Sequence, residues 1–304
     1  MRDLLGTMCN VVERHANQPH QSTVIPGLTL YQMTTNVHSL HALYNPRVCI
    51  ILRGRKTVSL GDASFTADSS TFLLATVDLP VTSRVVLAED GRSHLALTLD
   101  LDRALLAEVL QRFQIRSTAL APPAGLAAAP MQPALLEPFG RLVDLLDCPK
   151  DIEFVRPLIL QEIHYRLLSS GLVGNLVQFA MSGSHLWQIS KATAWIKANY
   201  KEQMTIEALA DLAGMSVTSF HRHFKAVTLM TPIQYRTQIR LQEARRLLIS
   251  DRLPAGVAGM AVGYDSQSQF SRDYKRMFGA PPVADTSTVL GITGTADSEP
   301  MLAN

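Results

Sequence analysis

The C-terminal third of the chain carries one pattern twice, and this duplication restricts its folding more than any other feature. Phe220-x-Arg222-x-Phe224-Lys225 recurs as Phe270-x-Arg272-x-Tyr274-Lys275, and Pro232 recurs as Pro282, all at a spacing of fifty residues. Upstream, Ala210, Ala213 and Gly214 match Gly259, Val262 and Gly263 at a spacing of forty-nine, so the register slips by one residue inside a turn. Two copies of one folded unit tolerate a slip there. Two repeats are too few for a solenoid, which needs at least about three to bury a continuous core, so each copy is predicted to be a small helical module.

In the first copy Thr205 is placed to cap a helix over "IEALADLAG", with Met204 and Leu209 positioned as a hydrophobic staple and Gly214 as its stop. Ser216 is placed to cap a second helix whose apolar face is Val217, Phe220, Phe224 and Val227. The opposite face carries Thr218, Ser219, His221, Arg222 and Lys225. Helix, glycine turn and helix form the helix-turn-helix pattern. In the second copy Phe270, Tyr274 and Phe278 are the anchors, and Ser268, Gln269, Arg272, Lys275 and Arg276 fall on the polar side. Small residues at Ala210 and Gly259 allow the paired helices to approach closely.

Arg suits guanine, Gln suits adenine, Ser and Thr reach bases or phosphates, and Lys neutralises phosphate. One Arg-bearing helical face is ordinarily just a solvated surface; duplication of anchors, turn and Arg together argues for a pair of recognition helices. Between them "TPIQYRTQIRLQEARRLLIS" has Thr231 and Gln234 spaced as a capping box and Pro232 at the first helical position. The predicted helix of some eighteen residues is about 27 Å long. Such a spacer suits two successive major grooves, ~34 Å apart on one face of a duplex.

Charge follows the same division. The formal net charge is +2 overall, but residues 184–283 hold thirteen Lys and Arg against seven Asp and Glu. Cys9, Cys49 and Cys148 lie far apart without a Cys-x-x-Cys pair, which suggests neither a disulfide framework nor a zinc knuckle and fits a cytoplasmic protein. No run approaches the ~20 apolar residues of a membrane span.

Residues 24 to about 101 alternate apolar and polar positions between tight turns, as strands do. Gly61-Asp62 reads as a two-residue hairpin turn, and Asp90-Gly91 as the turn of a second hairpin. From Asp102 the period becomes helical in "DRALLAEVLQRF", "MQPALLEPFGRLVDLLD" and "DIEFVRPLILQEIHYRLLSSG", with "ALAPPAGLAAAP" as a connector. Those helices would cover the strands or pair with a second copy of the chain. The small polar "MSGSH" marks a boundary, giving an N-terminal domain at 1–183, a DNA-binding domain at 184–283 and a frayed tail at 284–304.

The residues "LADLAGMSVTSFHRHFK", "RLQEARRLL" and "VGYDSQSQFSRDYKRMFGAPP" resemble the AraC/XylS family of bacterial transcription regulators. "YNPRVCIILRGRKTVSLGD" and "VDLPVTSRVVLAEDG" are similar to its AraC-type N-terminal domain. The resemblance implies an α+β chain: a cupin-like β-barrel with appended helices, then an all-α domain of two helix-turn-helix units joined by a long helix. It implies double-stranded promoter DNA as partner, a homodimer, a small-molecule effector, and an RNA polymerase contact if the protein is an activator, with no cofactor. The chain departs from the family pattern at Ala258-Gly259, where many members have Ile-Ala, and after Pro282, where "VADTST" replaces a Tyr-Arg.

A cupin-type metalloenzyme is the rival from another class, through His38, His41 and His94. "HSLHALYN" lacks the close histidine pair and following carboxylate of such a centre. A DNA-repair alkyltransferase would need a cysteine nucleophile and a metal-cysteine cluster, which have no counterpart here. Cys49, in the strand-like "RVCIIL", reads as a small buried hydrophobe before it reads as a thiol sensor. No catalytic or metal site is therefore expected.

Overall fold

The computed structural model describes residues 1–114 and 124–289. The chain divides into two compact units, one of residues 1–195 with 205–232, the other of residues 196–204 with 233–304.

The first unit opens with a helix that periodicity did not single out, α1 (Arg2–His15), which buries Met8, Cys9, Val11 and Val12. Nine strands follow: β1 (His20–Ser22), β2 (Leu28–Met33), β3 (Val37–Tyr44), β4 (Arg47–Arg53), β5 (Arg55–Leu60), β6 (Ala63–Ala67), β7 (Thr71–Ala75), β8 (Leu79–Val86) and β9 (His94–Asp100). After α2 (Arg103–Arg112) comes β10 (Leu126–Pro130), then α3 (Pro133–Asp144), α4 (Ile152–Leu167), α5 (Val173–Ala180) and α6 (His185–Ala198).

The expected cupin-like β-barrel is not what these strands build. They form two separate open antiparallel sheets, one in the order β1-β2-β9-β4-β7-β10 and one in the order β3-β8-β5-β6. Closure needs one continuous hydrogen-bond ladder at a fixed stagger. Here the chain repeatedly crosses from one sheet to the other, and each sheet keeps two edges.

The second expected hairpin fails for the same reason. The turn at Asp90-Gly91 exists, with the Gly91 N–H donating to Ala88 O at 2.9 Å. Yet β8 pairs with β3 and β5, while β9 pairs with β2 and β4. The Gly61-Asp62 hairpin is present: Leu60 faces Ala63 across a two-residue turn, and Gly61 takes φ +55°. Part of the Ala-rich connector is also a strand, because β10 pairs along β7 from Leu126↔Ala75 to Pro130↔Thr71. Alanine favours strands little; an unfilled sheet edge outweighs that, and proline is tolerated there. Residues 119–123 of that connector lie outside the described residues.

In the larger sheet Leu28, Leu30, Val48, Ile50, Leu97 and Leu99 share one face, against which α1 packs. Both faces of β9 are buried from His94 to Leu99. α4 packs on α2 and α3, yet leaves Phe154 80% and Leu158 58% exposed. The first unit ends with α7 (Ile206–Ala213) and α8 (Val217–Thr228).

The second unit contains α9 (Pro232–Ile249), α10 (Ala255–Ala261), α11 (Gln267–Phe278) and α12 (Pro282–Val289). Its core is Leu241, Ala244, Leu248, Ala258, Val262, Tyr264, Phe270 and Tyr274. α9 has the eighteen residues predicted. α12 occupies the start of the segment read as a tail, and residues 290–304 lie outside the described residues. Among the described residues no helix is long and apolar enough to cross a membrane.

Candidate nucleic-acid interface

The two copies share the hydrogen bonds of their turn and second helix, although Pro254 at the start of α10 gives no side-chain cap to match Thr205. Thr205 Oγ1 accepts from the Ala208 N–H at 3.2 Å and starts α7. At its end Gly214 takes φ +67°, and the Met215 N–H returns to Ala210 O at 2.9 Å. At the end of α10 Gly263 takes φ +90°, and the Tyr264 N–H returns to Gly259 O at 3.0 Å.

Ser216 Oγ then accepts from the Ser219 N–H, and Ser266 Oγ from the Gln269 N–H, both at 3.3 Å. Each cap satisfies one of the donors a helix start leaves open. The helices also end alike. Leu229 and Gly279 are both left-handed, with N–H groups donating to Lys225 O at 2.9 Å and Lys275 O at 2.8 Å.

These caps fix which way each helix faces. Phe220, Phe224 and Val227 of α8 are buried, as are Phe270 and Tyr274 of α11. Val217, read as an anchor, is instead 39% exposed. Thr218, His221, Arg222 and Lys225 are exposed along α8, and Ser219 is half-buried. Ser268, Gln269, Arg272, Lys275 and Arg276 are all exposed on α11. Each predicted set thus gathers on one helical face.

The members are not equally free. Arg276 Nη2 donates to Asp273 Oδ1 at 2.9 Å on its own helix. Arg222 Nη2 lies 3.3 Å from His223 Nε2, and the His223 ring stacks on His185 at 3.8 Å. Burial, with the neighbouring His185 and Arg222 charges, lowers the His223 pKa. Lys225 shares a groove with Asp62, Ala63 and Leu229. There a Cβ on Gly61 would come within 2.7 Å of Leu229 O, and the Gly125 N–H donates to Val227 O at 3.0 Å.

Residues supporting these helices escaped the sequence reading. Arg240 of α9 donates to Tyr200 O at 2.6 Å, Gly263 O at 2.7 Å and Lys201 O at 3.2 Å, so it braces the turn before α11. Arg245 grips Asp285 of α12 through two bonds of 2.8 and 3.1 Å, and the Tyr274 hydroxyl donates to the same carboxylate at 2.8 Å. Nothing in the basic "RLQEARRLL" separates these inward arginines from outward ones.

The metal reading finds no geometry. Among the described residues no three His, Cys, Asp or Glu gather where they could hold an ion. His41 instead bonds Ser39 and Thr82, and His94 is buried. Cys49 is 1% exposed.

Comparison with known proteins decides the family. Residues 24–173 match the model of the AraC-type transcriptional regulator N-terminus, and residues 209–285 match a helix-turn-helix domain model. The chain belongs to the AraC-type transcriptional regulators.

It is a transcription regulator of that type. The transcriptional activator RhaS of Pectobacterium carotovorum is 30% identical over 105 residues, 34% of this chain and 38% of that one. The RCS-specific transcriptional activator RclR of Escherichia coli is 40% identical over 78 residues, 26% and 28% of the two chains. These matches span under two-fifths of either relative's length. ToxT of Vibrio cholerae superposes with a TM-score of 0.55 over 91% of this chain and 100% of its own, at 12% identity, and so shares the fold. The N-terminal part of this chain is thus β-rich and built of open sheets, not of a cupin-like barrel.

Proposed function

We propose that this chain regulates transcription by reading a bipartite sequence in double-stranded promoter DNA, with α8 and α11 each entering a major groove. The observation that carries this reading is the duplicated cap, anchor and exposed polar face of the two helices. Arg222 and Arg272 would read base edges. Gln269, Ser268, Ser219, Thr218 and His221 would add base and phosphate contacts, while Lys225, Lys275 and Arg276 neutralise phosphate. Residues 184–283 act as the DNA-binding part and residues 1–183 as the sensing and dimerising part.

The sensing part responds to a small-molecule effector. Support comes from ToxT, solved with an unsaturated fatty acid bound and with (E)-4-(8-methylnaphthalen-1-yl)but-3-enoic acid. The exposed Phe154 and Leu158 of α4 suit pairing with a second copy. The relatives RhaS and RclR are activators, which favours activation with an RNA polymerase contact, in the cytoplasm.

The test is to select genomic fragments bound by the full chain and measure mobility shifts on the recovered site. Two half-sites centred about one DNA turn apart are expected, with affinity falling steeply with salt and lost when about 5 bp are inserted between them. A single undivided half-site, or indifference to the insertion, overturns the reading.

A further inference from the structure

The repeat puts a side chain that holds an arginine at the same position in both reading heads. His223 and Asp273 stand fifty residues apart, each directly after the arginine of its Phe-x-Arg motif. In α11 the Asp273 carboxylate accepts from Arg276 Nη2 at 2.9 Å and from the Tyr264 hydroxyl at 3.3 Å. In α8 His223 Nε2 lies 3.3 Å from Arg222 Nη2. A guanidinium only donates, so the His223 ring is the acceptor, which requires a neutral imidazole with its proton on Nδ1.

His223 is itself held in place. Its ring lies against that of His185 on α6, with centroids 3.8 Å apart and planes tilted by 30°. His223 is half-buried, whereas Arg222 beside it is exposed. The groups whose charge acts on His223 are His185 from α6 and Arg222 from α8, with no carboxylate among them. Three and four residues away along α8, Ser219, Phe220, Ala226 and Val227 carry no charge. Burial, and then these two neighbours, hold the His223 pKa below its ordinary value, so the ring stays neutral at neutral pH.

We infer that His223 is the positioning residue of the first reading head: as a neutral acceptor it orients the Arg222 guanidinium toward its base, and protonation releases it. The inference rests on reading α8 as a recognition helix. A long arginine side chain loses rotamer freedom when it docks, and a bond already made in the free protein spares part of that loss. One bond to His223 leaves the other N–H groups of the guanidinium for a guanine edge. An imidazolium donates at both nitrogens and repels the guanidinium, so base preference in the α8 half-site falls as pH drops. The added charge meanwhile favours phosphate, so affinity for unrelated DNA holds or rises. No histidine lies in α11, and its half-site supplies the contrast.

Mobility shifts of the full chain on its recovered site, from pH 7.5 to 5.5, test this with one base pair changed in either half-site. The half-site whose preference Arg222→Ala relaxes is the one α8 reads. Discrimination there is expected to fall about fivefold with pH, the worth of one net hydrogen bond, while discrimination in the other half-site stays constant. His223→Phe keeps a ring against His185 but has no acceptor, and should show the lower discrimination at every pH. His223→Gln, whose amide oxygen accepts, should recover most of it without the pH dependence. Nitrogen NMR of the histidine rings in the DNA-free chain should show His223 protonated at Nδ1 and bare at Nε2 at pH 7.5. The inference falls if discrimination by α8 is flat with pH, if both half-sites decline together, if the Phe variant matches wild type, or if the proton sits on Nε2. Should the Phe variant fail to fold, the pH profile of the Gln variant and the ring tautomer decide it. Preference lost in Arg222→Ala but unmoved by the His223 variants sinks this inference alone; preference kept in Arg222→Ala sinks the recognition reading with it.

Discussion

Gly259 shows how one side chain sets the geometry of a reading head. A Cβ there would lie 2.9 Å from Phe270 Cδ1 and 3.0 Å from Cγ, and Phe270 is completely buried. Alanine favours a helix interior by about 1 kcal/mol over glycine, but overpacking a filled core costs about 1–3 kcal/mol. Gly259→Ala is therefore expected to destabilise the second unit by about 1 kcal/mol, read from its urea midpoint. An unchanged or raised midpoint would mean that α10 and α11 have room to part.

At the same scale Arg272 and Lys225 should separate by role. Arg272→Ala is expected to cost ~1–3 kcal/mol of specific binding and to relax base preference in one half-site. Lys225→Ala should weaken all sequences alike and lower the salt slope by about one counterion. A mobility-shift series over salt and half-site variants distinguishes them.

Among the elements, α12 carries a role that its composition conceals. Asp285 is 8% exposed and is held by Arg245 and Tyr274, so one carboxylate ties α12 to α9 and α11. Burial, then the bond to Asp285, pushes the Tyr274 phenol well above its ordinary pKa. Breaking a fully buried pair costs ~3–5 kcal/mol; Arg245 keeps 22% of its side chain exposed, so Asp285→Ala should cost about 2–3 kcal/mol. Hydrogen exchange is the direct check, since α12 amides should lose protection before those of α7 and α8.

The first copy departs from the second at one telling place among its elements. Where the second has Gly279 in the left-handed conformation, the first has Leu229 at φ +57°. That conformation costs a leucine about 1 kcal/mol or more. Leu229 sits against the Gly61 turn, a contact that offsets a backbone conformation glycine would have favoured.

For the molecule as a whole, pH is the expected lever on the first unit. Burial, then the nearby Lys56 charge, lowers the His94 pKa to about 4. Burial also lowers the pKa of His164, whose Nε2 accepts from the Asp102 N–H at 3.2 Å while Nδ1 donates to Leu160 O at 2.7 Å, an arrangement that uses the neutral ring. Between pH 4 and 6.5 the unfolded chain therefore binds more protons than the folded one, and stability rises with pH. As pH falls through that window, on the order of 3 kcal/mol from His94 alone is lost. Urea unfolding at pH 7.5, 6.0 and 5.0 should show the decline, and His94→Gln should flatten it; an equal slope in the variant would refute the assignment.

What the chain declares without coordinates is whatever depends on neighbours close in sequence. Ser216, the Gly214 turn, the Phe220 and Phe224 anchors and the start at Pro232 each act within a few residues, so the repeated module and its polar faces were legible from spacing alone. The strands between residues 24 and 101 were legible too, because alternation is local, whereas the alanines of β10 show no alternation and were read as a connector. Which strand pairs with which was not: the turn at Asp90-Gly91 looks the same whether β8 and β9 pair or part, and only burial summed over both sheets separates them into open layers. The grip of Arg245 and Tyr274 on Asp285, and the meeting of Lys56 with the Tyr31 and Tyr44 rings, join residues distant along the chain. Their energies arise from shared desolvation in a packed interior, a property that no local pattern encodes and that the tertiary structure alone decides.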